Sequence, residues 1–326
     1  MGKYMLAAAV VLGCLLLSGC AGGAKPVRDV PDVPAQFDTA ASYLNSGNVW
    51  YDKGDYDKAI ADFNEAILLN PDDPEPYNNR GVIYARRGDY DQAIEDYNQA
   101  LRLKSDYAEA YSNRGRAWDN KGDYDKAIED YTQGIRLRPG YAEVYYNRGV
   151  IYAGRGDYDQ AIEDYNQAIL LKADLTEAYN NRGNAWGAKG DYDKAIEDYN
   201  QAIRLKANDP ETYSNRGVAY ARKGDYDKAI EDYNQAIRFK ADYAEAYSNR
   251  GVVYAIKGDY DQAHADWEKA LQFNPNFVEA YNNRGNAHAI KGDYDKARAD
   301  WEKALQLAPY NTTVRQNLER LRQMGY

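Results

Sequence analysis

The sequence predicts an all-α solenoid of eight 34-residue helix-turn-helix units followed by one capping helix. Three observations predict it. The dipeptide Arg-Gly recurs every 34 residues, from Arg80-Gly81 and Arg114-Gly115 to Arg284-Gly285. A second marker, Gly-Asp-Tyr-Asp, keeps the same step from Gly54 to Gly292. Within each step, apolar and small residues fall at helical intervals in two sets with a glycine between them. A fixed period in this range marks stacked units, each burying its apolar face against its neighbours. Such a stack offers a long surface, and catalysis would have to be added to it.

The chain opens on an address label. Lys3 supplies a positive charge, and Met5 to Leu17 is an apolar run too short to span a bilayer as a helix. Residues 1–19 therefore read as a secretory signal. Residues 20–39 follow as a tether holding Pro26, Pro31 and Pro34, with a reach of about 60 Å at full extension. Only Cys14 and Cys20 exist, so a mature chain beginning at Cys20 has no disulfide within it, which suits an oxidising compartment.

The units occupy 40–73, 74–107, 108–141, 142–175, 176–209, 210–243, 244–277 and 278–311, with positions numbered 1–34 in each. In 74–107, Tyr77, Gly81 and Tyr84 share one face, and Ala93, Tyr97 and Ala100 share another. Gly88 breaks the pattern. A cation precedes that glycine in every unit, as Arg87 does here, which marks a helix end with a left-handed glycine cap. Asp89 is the expected N-cap of the second helix. For the first helices, Asp106–Glu109, Asp174–Glu177 and Asp242–Glu245 are expected capping boxes, with Asn208–Glu211 and Asn276–Glu279 as variants. Pro74 and Pro210 fall in a first turn, where a missing N–H is harmless. Residues 312–326 carry Val314, Leu318 and Leu321 on one narrow stripe, behind an expected Thr313–Gln316 capping box. That helix would cover the exposed end of the last unit.

These residues resemble the tetratricopeptide repeat. The family places aromatics at positions 4, 11 and 24, glycine at 8 and alanine at 20 and 27. Tyr77, Tyr84, Tyr97, Gly81, Ala93 and Ala100 match. Two departures stand out: position 32 is proline only at Pro71, Pro139, Pro275 and Pro309, and position 7 is arginine in seven units. The resemblance implies a right-handed superhelix whose first helices line a concave groove. Leu17-Ser18-Gly19-Cys20 separately resembles the bacterial lipobox, which implies cleavage before Cys20 and lipidation of that residue. Ala21 after the cysteine resembles outer-membrane sorting in a Gram-negative cell, with the chain facing the periplasm. An ordinary signal with an incidental cysteine is the plainer alternative.

Composition excludes several classes. The formal charge is −10; loss of residues 1–19 removes only Lys3, leaving about −11. Cations alternate with acids and form no basic patch, so no nucleic-acid partner is expected. No Walker-type loop, G-x-S-x-G, H-E-x-x-H or C-x-x-C motif occurs, so neither an enzyme nor a cofactor is expected. The Asp-Tyr-Asp segments are similar to calcium loops but lack the glycine and distal glutamate of an EF-hand, so capping explains them better. His264 replaces an isoleucine-type residue and His288 the position-11 aromatic; packing of each singly is the bland reading, and a metal or catalytic pair is the sharp one. Trp50, Trp118 and Trp186 alternate with tyrosines at position 11, as core residues or as glycan platforms. The arginines at position 7 can hold a ligand carboxylate or, as structure, an aspartate of the second helix, such as Arg80 with Asp96.

One column resists a purely structural account. Asparagine, a mediocre helix former, stands at position 6 in every unit: Asn45, Asn79, Asn113, Asn147, Asn181, Asn215, Asn249 and Asn283. The family resemblance places this position in the groove, where some members grip the backbone of an extended peptide or a terminal carboxylate. A carboxylate clamp needs cations nearby. The groove instead offers Val82, Val150, Val218, Ala85, Ala153 and Ala221, with Arg86 and Arg222 as exceptions. A ladder of amides along an extended chain fits these neighbours; an inherited consensus without ligand is the alternative. The expected function is a non-catalytic, lipid-anchored scaffold that binds proteins of the bacterial envelope through the groove. A ligand-binding accessory of a transporter or envelope enzyme is the first rival, and an enzyme the second.

Cys20→Ala is expected to block lipidation and release the protein from membranes, which fractionation measures. Quantitative retention in the membrane fraction would show that lipid is not the anchor.

Overall fold

The computed structural model describes residues 39–326. The expected signal, Cys20 and all of the tether except Thr39 lie outside the described residues. The rest is an all-α solenoid of eight helix pairs plus a terminal helix. The pairs are α1 (Ala40–Lys53) with α2 (Tyr56–Leu69), α3 (Pro74–Arg87) with α4 (Tyr90–Leu103), and α5 (Ala108–Lys121) with α6 (Tyr124–Leu137). They continue with α7 (Ala142–Arg155) and α8 (Tyr158–Leu171), α9 (Thr176–Ala188) and α10 (Tyr192–Leu205), α11 (Pro210–Lys223) and α12 (Tyr226–Phe239). The last are α13 (Ala244–Ile256) with α14 (Tyr260–Phe273) and α15 (Val278–Lys291) with α16 (Tyr294–Leu307). The terminal helix is α17 (Thr312–Gln323). Each helix packs on the next in sequence, and successive first helices also touch, as α1 does α3 and α13 does α15; successive second helices make no comparable contact.

The Gly-Asp-Tyr-Asp motif builds the turn inside each pair. Gly88 takes the left-handed conformation, φ +86°. Its N–H donates to the Ala85 carbonyl at 3.1 Å, and the Asp89 N–H donates to the Tyr84 carbonyl at 2.9 Å. This is the Schellman arrangement, which only a residue tolerant of positive φ completes cheaply. Asp89 then stands at the N-cap of α4, but its side chain makes no capping bond; Asp55, Asp123, Asp191 and Asp259 do accept such a bond.

The first helices start differently from the expectation. Tyr107, Leu175, Tyr243 and Phe277 occupy the N-cap positions of α5, α9, α13 and α15, with no side-chain cap. The capping boxes at Asp106, Asp174, Asp242 and Asn276 therefore do not form. Tyr107, Tyr243 and Phe277 instead pack against the second helix of the preceding unit. Burying a large apolar side chain is worth about 1.5–3 kcal/mol, against about 0.5–2 kcal/mol for a cap. Asp209 rather than Asn208 caps α11, accepting from the Thr212 N–H at 3.1 Å. Asn311 rather than Thr313 caps α17, accepting from the Val314 N–H at 3.1 Å.

The core is written by close approach. Ala93, Tyr97 and Ala100 are wholly buried. The Tyr97 ring lies on Gly81, where an added Cβ would come within 2.8 Å of the ring. At the far end, Val314, Leu318 and Leu321 close over Ala297, Trp301 and Ala304. The capping role of α17 is thus observed.

Deleting residues 312–326 uncovers Trp301 and removes three buried apolar side chains, each worth about 1.5–3 kcal/mol. The truncated chain is expected to melt lower and to self-associate, which thermal melting and light scattering measure. An unchanged melt without association would make the segment a dispensable tail.

Candidate functional site

The arginine column is structural. In each of seven units the guanidinium makes a bidentate ion pair with the second-helix aspartate: Arg80–Asp96, Arg114–Asp130, Arg148–Asp164, Arg182–Asp198, Arg216–Asp232, Arg250–Asp266 and Arg284–Asp300. In Arg148, Nε donates to Asp164 Oδ2 at 2.8 Å and Nη2 to Oδ1 at 2.7 Å. The third nitrogen reaches back one unit, from Arg148 Nη1 to Thr132 Oγ1 at 2.8 Å. In five other units that acceptor is an asparagine, as Asn166 is for Arg182. The hydrogen bond Arg80 donates to Asp96 raises the Arg80 pKa further, while burial pushes Asp96 above the usual carboxylate value. No guanidinium of this column is left to hold a ligand.

Two other columns prove to be structural as well. From the second unit on, the cation before the turn glycine bridges to the preceding unit, as in Arg87–Asp57 at 2.6 Å, Arg155–Asp125 at 2.7 Å and Lys291–Asp261 at 2.5 Å. The second aspartate of the Gly-Asp-Tyr-Asp motif is thereby explained. These pairs are exposed, so they are weak and salt-screened. The tryptophans carry a lysine over the ring: Lys58 on Trp50 at 4.3 Å, Lys126 on Trp118 at 4.2 Å and Lys194 on Trp186 at 4.1 Å. Each ring also belongs to a core cluster, so the packing reading holds over the glycan platform.

The asparagine column divides in two. Asn113 Nδ2 donates to Asn78 Oδ1 of the preceding unit at 3.0 Å, Asn181 Nδ2 to the Tyr146 hydroxyl at 3.1 Å, and Asn215 Nδ2 to Asn180 Oδ1 at 3.4 Å. Asn79 donates to Asn48 Oδ1 at 3.0 Å. Asn317 on α17 repeats the pattern towards Asn282 and Asn286. Among the described residues, the side chains of Asn45, Asn147, Asn249 and Asn283 make no hydrogen bond.

Equivalent recesses repeat along the first-helix face at the period of the chain. The first is lined by Asn184, Ala188, Tyr199, Asn215, Val218 and Arg222, with a volume of about 490 Å³. The next, of about 380 Å³, takes Val218, Arg222, Tyr233, Asn249, Val252 and Ile256, each 34 residues further on. A third, of about 230 Å³, uses Val252, Ile256, Trp267, Asn283, Asn286 and Ile290. The fourth, of about 510 Å³, uses Asn286, Ile290, Trp301, Asn317, Arg320 and Met324. Every recess holds one amide of the asparagine column or its α17 counterpart. The rim becomes apolar towards the C-terminus, where Ile256, Ile290 and Met324 are 56%, 64% and 57% exposed.

Comparison with known families agrees with this geometry. Tetratricopeptide-repeat profiles match residues 47–88, 83–118, 120–156, 187–224 and 219–258, and also 142–174, 244–277 and 278–311. The chain belongs to the tetratricopeptide repeat family. No curated protein matches it significantly. Among solved structures, the chain resembles the Cut9–Hcn1 hetero-tetramer of the APC/C at TM-score 0.59 and 17% identity, over 86% of this chain and 55% of that one. It resembles a tetratricopeptide protein of Parabacteroides merdae at 0.53 and 22%, over 79% and 98%. PilF of Pseudomonas aeruginosa follows at 0.55 and 18%, over 68% and 97%. These likenesses show the fold.

The tetratricopeptide fold is a non-catalytic scaffold class for protein–protein interaction, and among the described residues no three potential metal-ligating side chains cluster. The two histidines stand together. His264 and His288, each explained alone by its own column, meet across the boundary between the last two units.

Asn113→Ala with Asn181→Ala removes two inter-unit bonds, each worth about 0.5–1.5 kcal/mol net. Asn249→Ala with Asn283→Ala removes none and improves helix propensity. The first double variant is expected to be less stable in urea unfolding than the second, by about 1–3 kcal/mol. Equal midpoints would deny the inter-unit bonds a structural role.

Proposed function

We propose that this tetratricopeptide chain is a membrane-anchored, non-catalytic scaffold that holds an extended segment of a partner protein along its first-helix face. The observation that carries the proposal is the row of four equivalent recesses from Asn184 to Met324, each pairing an amide with an apolar floor. Contact between successive first helices, without comparable contact between second helices, supports taking this face as the inner, concave one. Helical layers repeat about every 8–10 Å and an extended chain rises about 3.3 Å per residue, so one unit meets about every third residue. An amide donates to a backbone carbonyl and accepts from a backbone N–H at once. Asn249 and Asn283, unbonded among the described residues, are the rungs best placed for this, beside Val252, Ile256 and Ile290 for apolar side chains.

Anchoring rests on Leu17-Ser18-Gly19-Cys20 alone, with lipid on Cys20. Buried acyl chains add about 0.8 kcal/mol per CH₂, so several hold firmly. The partner is then a protein of the bacterial envelope, met in the periplasm if the cell is Gram-negative. The recess of about 510 Å³ beside α17 has the size of a small-ligand site, which supports the accessory-lipoprotein reading as a rival.

The test begins with a partner captured from envelope extract and its bound segment mapped by crosslinking. The double variant Asn249→Ala with Asn283→Ala is expected to weaken that segment by about 1–3 kcal/mol in a titration, with stability intact. Ile290→Asp is expected to weaken it further. Unchanged affinity in both would remove the groove from the account, and a co-purifying small molecule displaced by Ile290→Asp would favour the rival.

A further inference from the structure

We propose that His264 and His288 form a two-imidazole site for a divalent transition-metal ion, Cu²⁺ above all, at the boundary between the last two units. They are the only histidines of the chain. Elsewhere the equivalent pair, 24 residues apart, is an isoleucine facing an aromatic; Ile94 with Trp118 and Ile196 with Tyr220 share core clusters. Both members change together at this one boundary. Two independent packing substitutions would not be expected to choose facing positions.

The geometry is that of two ligands to one centre. Nε2 of His264 lies 2.9 Å from Nε2 of His288, and the ring centres are 4.6 Å apart. Rings aimed head-on across that gap would hold their centres about 5.2 Å apart, since each centre lies about 1.15 Å behind its nitrogen, so the rings are bent away from a head-on line. With coplanar axes and equal tilt, these two distances would place their crossing about 2.0 Å from each Nε2 at about 95°, a metal–imidazole bond length and the cis angle of a tetragonal site.

The surroundings suit the role. Behind each ring stands a carboxylate: Glu268 Oε1 is 3.6 Å from His264 Nδ1, and Asp293 Oδ2 is 3.7 Å from His288 Nδ1. A carboxylate on that side favours the proton on Nδ1 and leaves the Nε2 lone pair free. At 2.9 Å the two Nε2 atoms share one proton in a hydrogen bond, and an ion that displaces that proton meets both lone pairs. Asp300 Oδ2 lies 4.0 Å from His288 Nε2, with its charge balanced by the bidentate pair to Arg284. His264 keeps 28% of its side chain exposed, which admits an ion. With no third protein ligand clustered among the described residues, solvent fills the remaining positions.

The test uses the untagged full chain with Cys14→Ser and Cys20→Ser, so that thiols do not compete for metal. Titration with Cu²⁺, and in parallel with Ni²⁺ and Zn²⁺, is expected to show one equivalent bound. The Cu²⁺ form is expected to give a tetragonal electron paramagnetic resonance spectrum with coupling to two imidazole nitrogens. His264→Ile and His288→Tyr, which restore the residues found at Ile230 and Tyr254, are each expected to weaken binding at least tenfold. Their combination is expected to abolish the two-nitrogen signal. Absence of stoichiometric uptake by the parent would overturn the proposal, as would an unchanged spectrum in the double variant. The parent spectrum decides the matter even if the double variant fails to fold: one without two imidazole nitrogens rules the site out.

Discussion

The arginine–aspartate pair is the interaction on which the rest of the solenoid depends. Each guanidinium joins the two helices of its own unit through a bidentate pair, and in six units it also reaches the second helix of the unit before. A repeat this short cannot bury much apolar surface alone. Its alanines and its one large aromatic per second helix fill the gap between helices, and Gly81 or Gly149 must stay bare for that ring to enter. A buried charge pair sets the register of these parts in the same way in unit after unit. Asp164, with 4% of its side chain exposed, has no other partner to turn to.

Once that stitching is assigned, the other polar columns sort themselves. Turn aspartates cap or bridge, lysines lie over tryptophans, and half of the asparagine column links units. What is left on the first-helix face is short: four unbonded amides, of which Asn249 and Asn283 line recesses, and a rim that passes from Asp52, Arg86 and Asn120 to Ile256, Ile290 and Met324. The surface available for recognition is therefore concentrated in the C-terminal half. The histidine pair lies in the same half, where the last two units also exchange the buried tyrosine for Trp267 and Trp301.

The fold was legible because a 34-residue period leaves no alternative to stacked helix pairs, and Arg80 with Asp96 could be paired from their spacing. The starts of the first helices depart from the pattern their sequence carries. Asp106 and Glu109 satisfy the capping pattern, but burial of Tyr107 against Ala100 and Leu101 outweighs a single hydrogen bond. The asparagine column was half legible. Its acceptors in the preceding unit vary, being Asn78, Tyr146 and Asn180, so no repeated motif announced them. The histidine pair is named in the sequence, but what brings it together is a spacing of 24 that crosses a unit boundary, the same spacing that joins Ile94 and Trp118.

The central claim is that the buried pair, and not helix propensity or surface charge, couples the parts of each unit. A double-mutant cycle on Arg148 and Asp164, read by equilibrium unfolding, tests it most directly. Arg148→Leu and Asp164→Leu should each destabilise the chain by about 3–5 kcal/mol, because each strands a buried charge. The double variant should fall well short of the sum, with a coupling energy of about 1–3 kcal/mol. Small, additive losses would contradict the account.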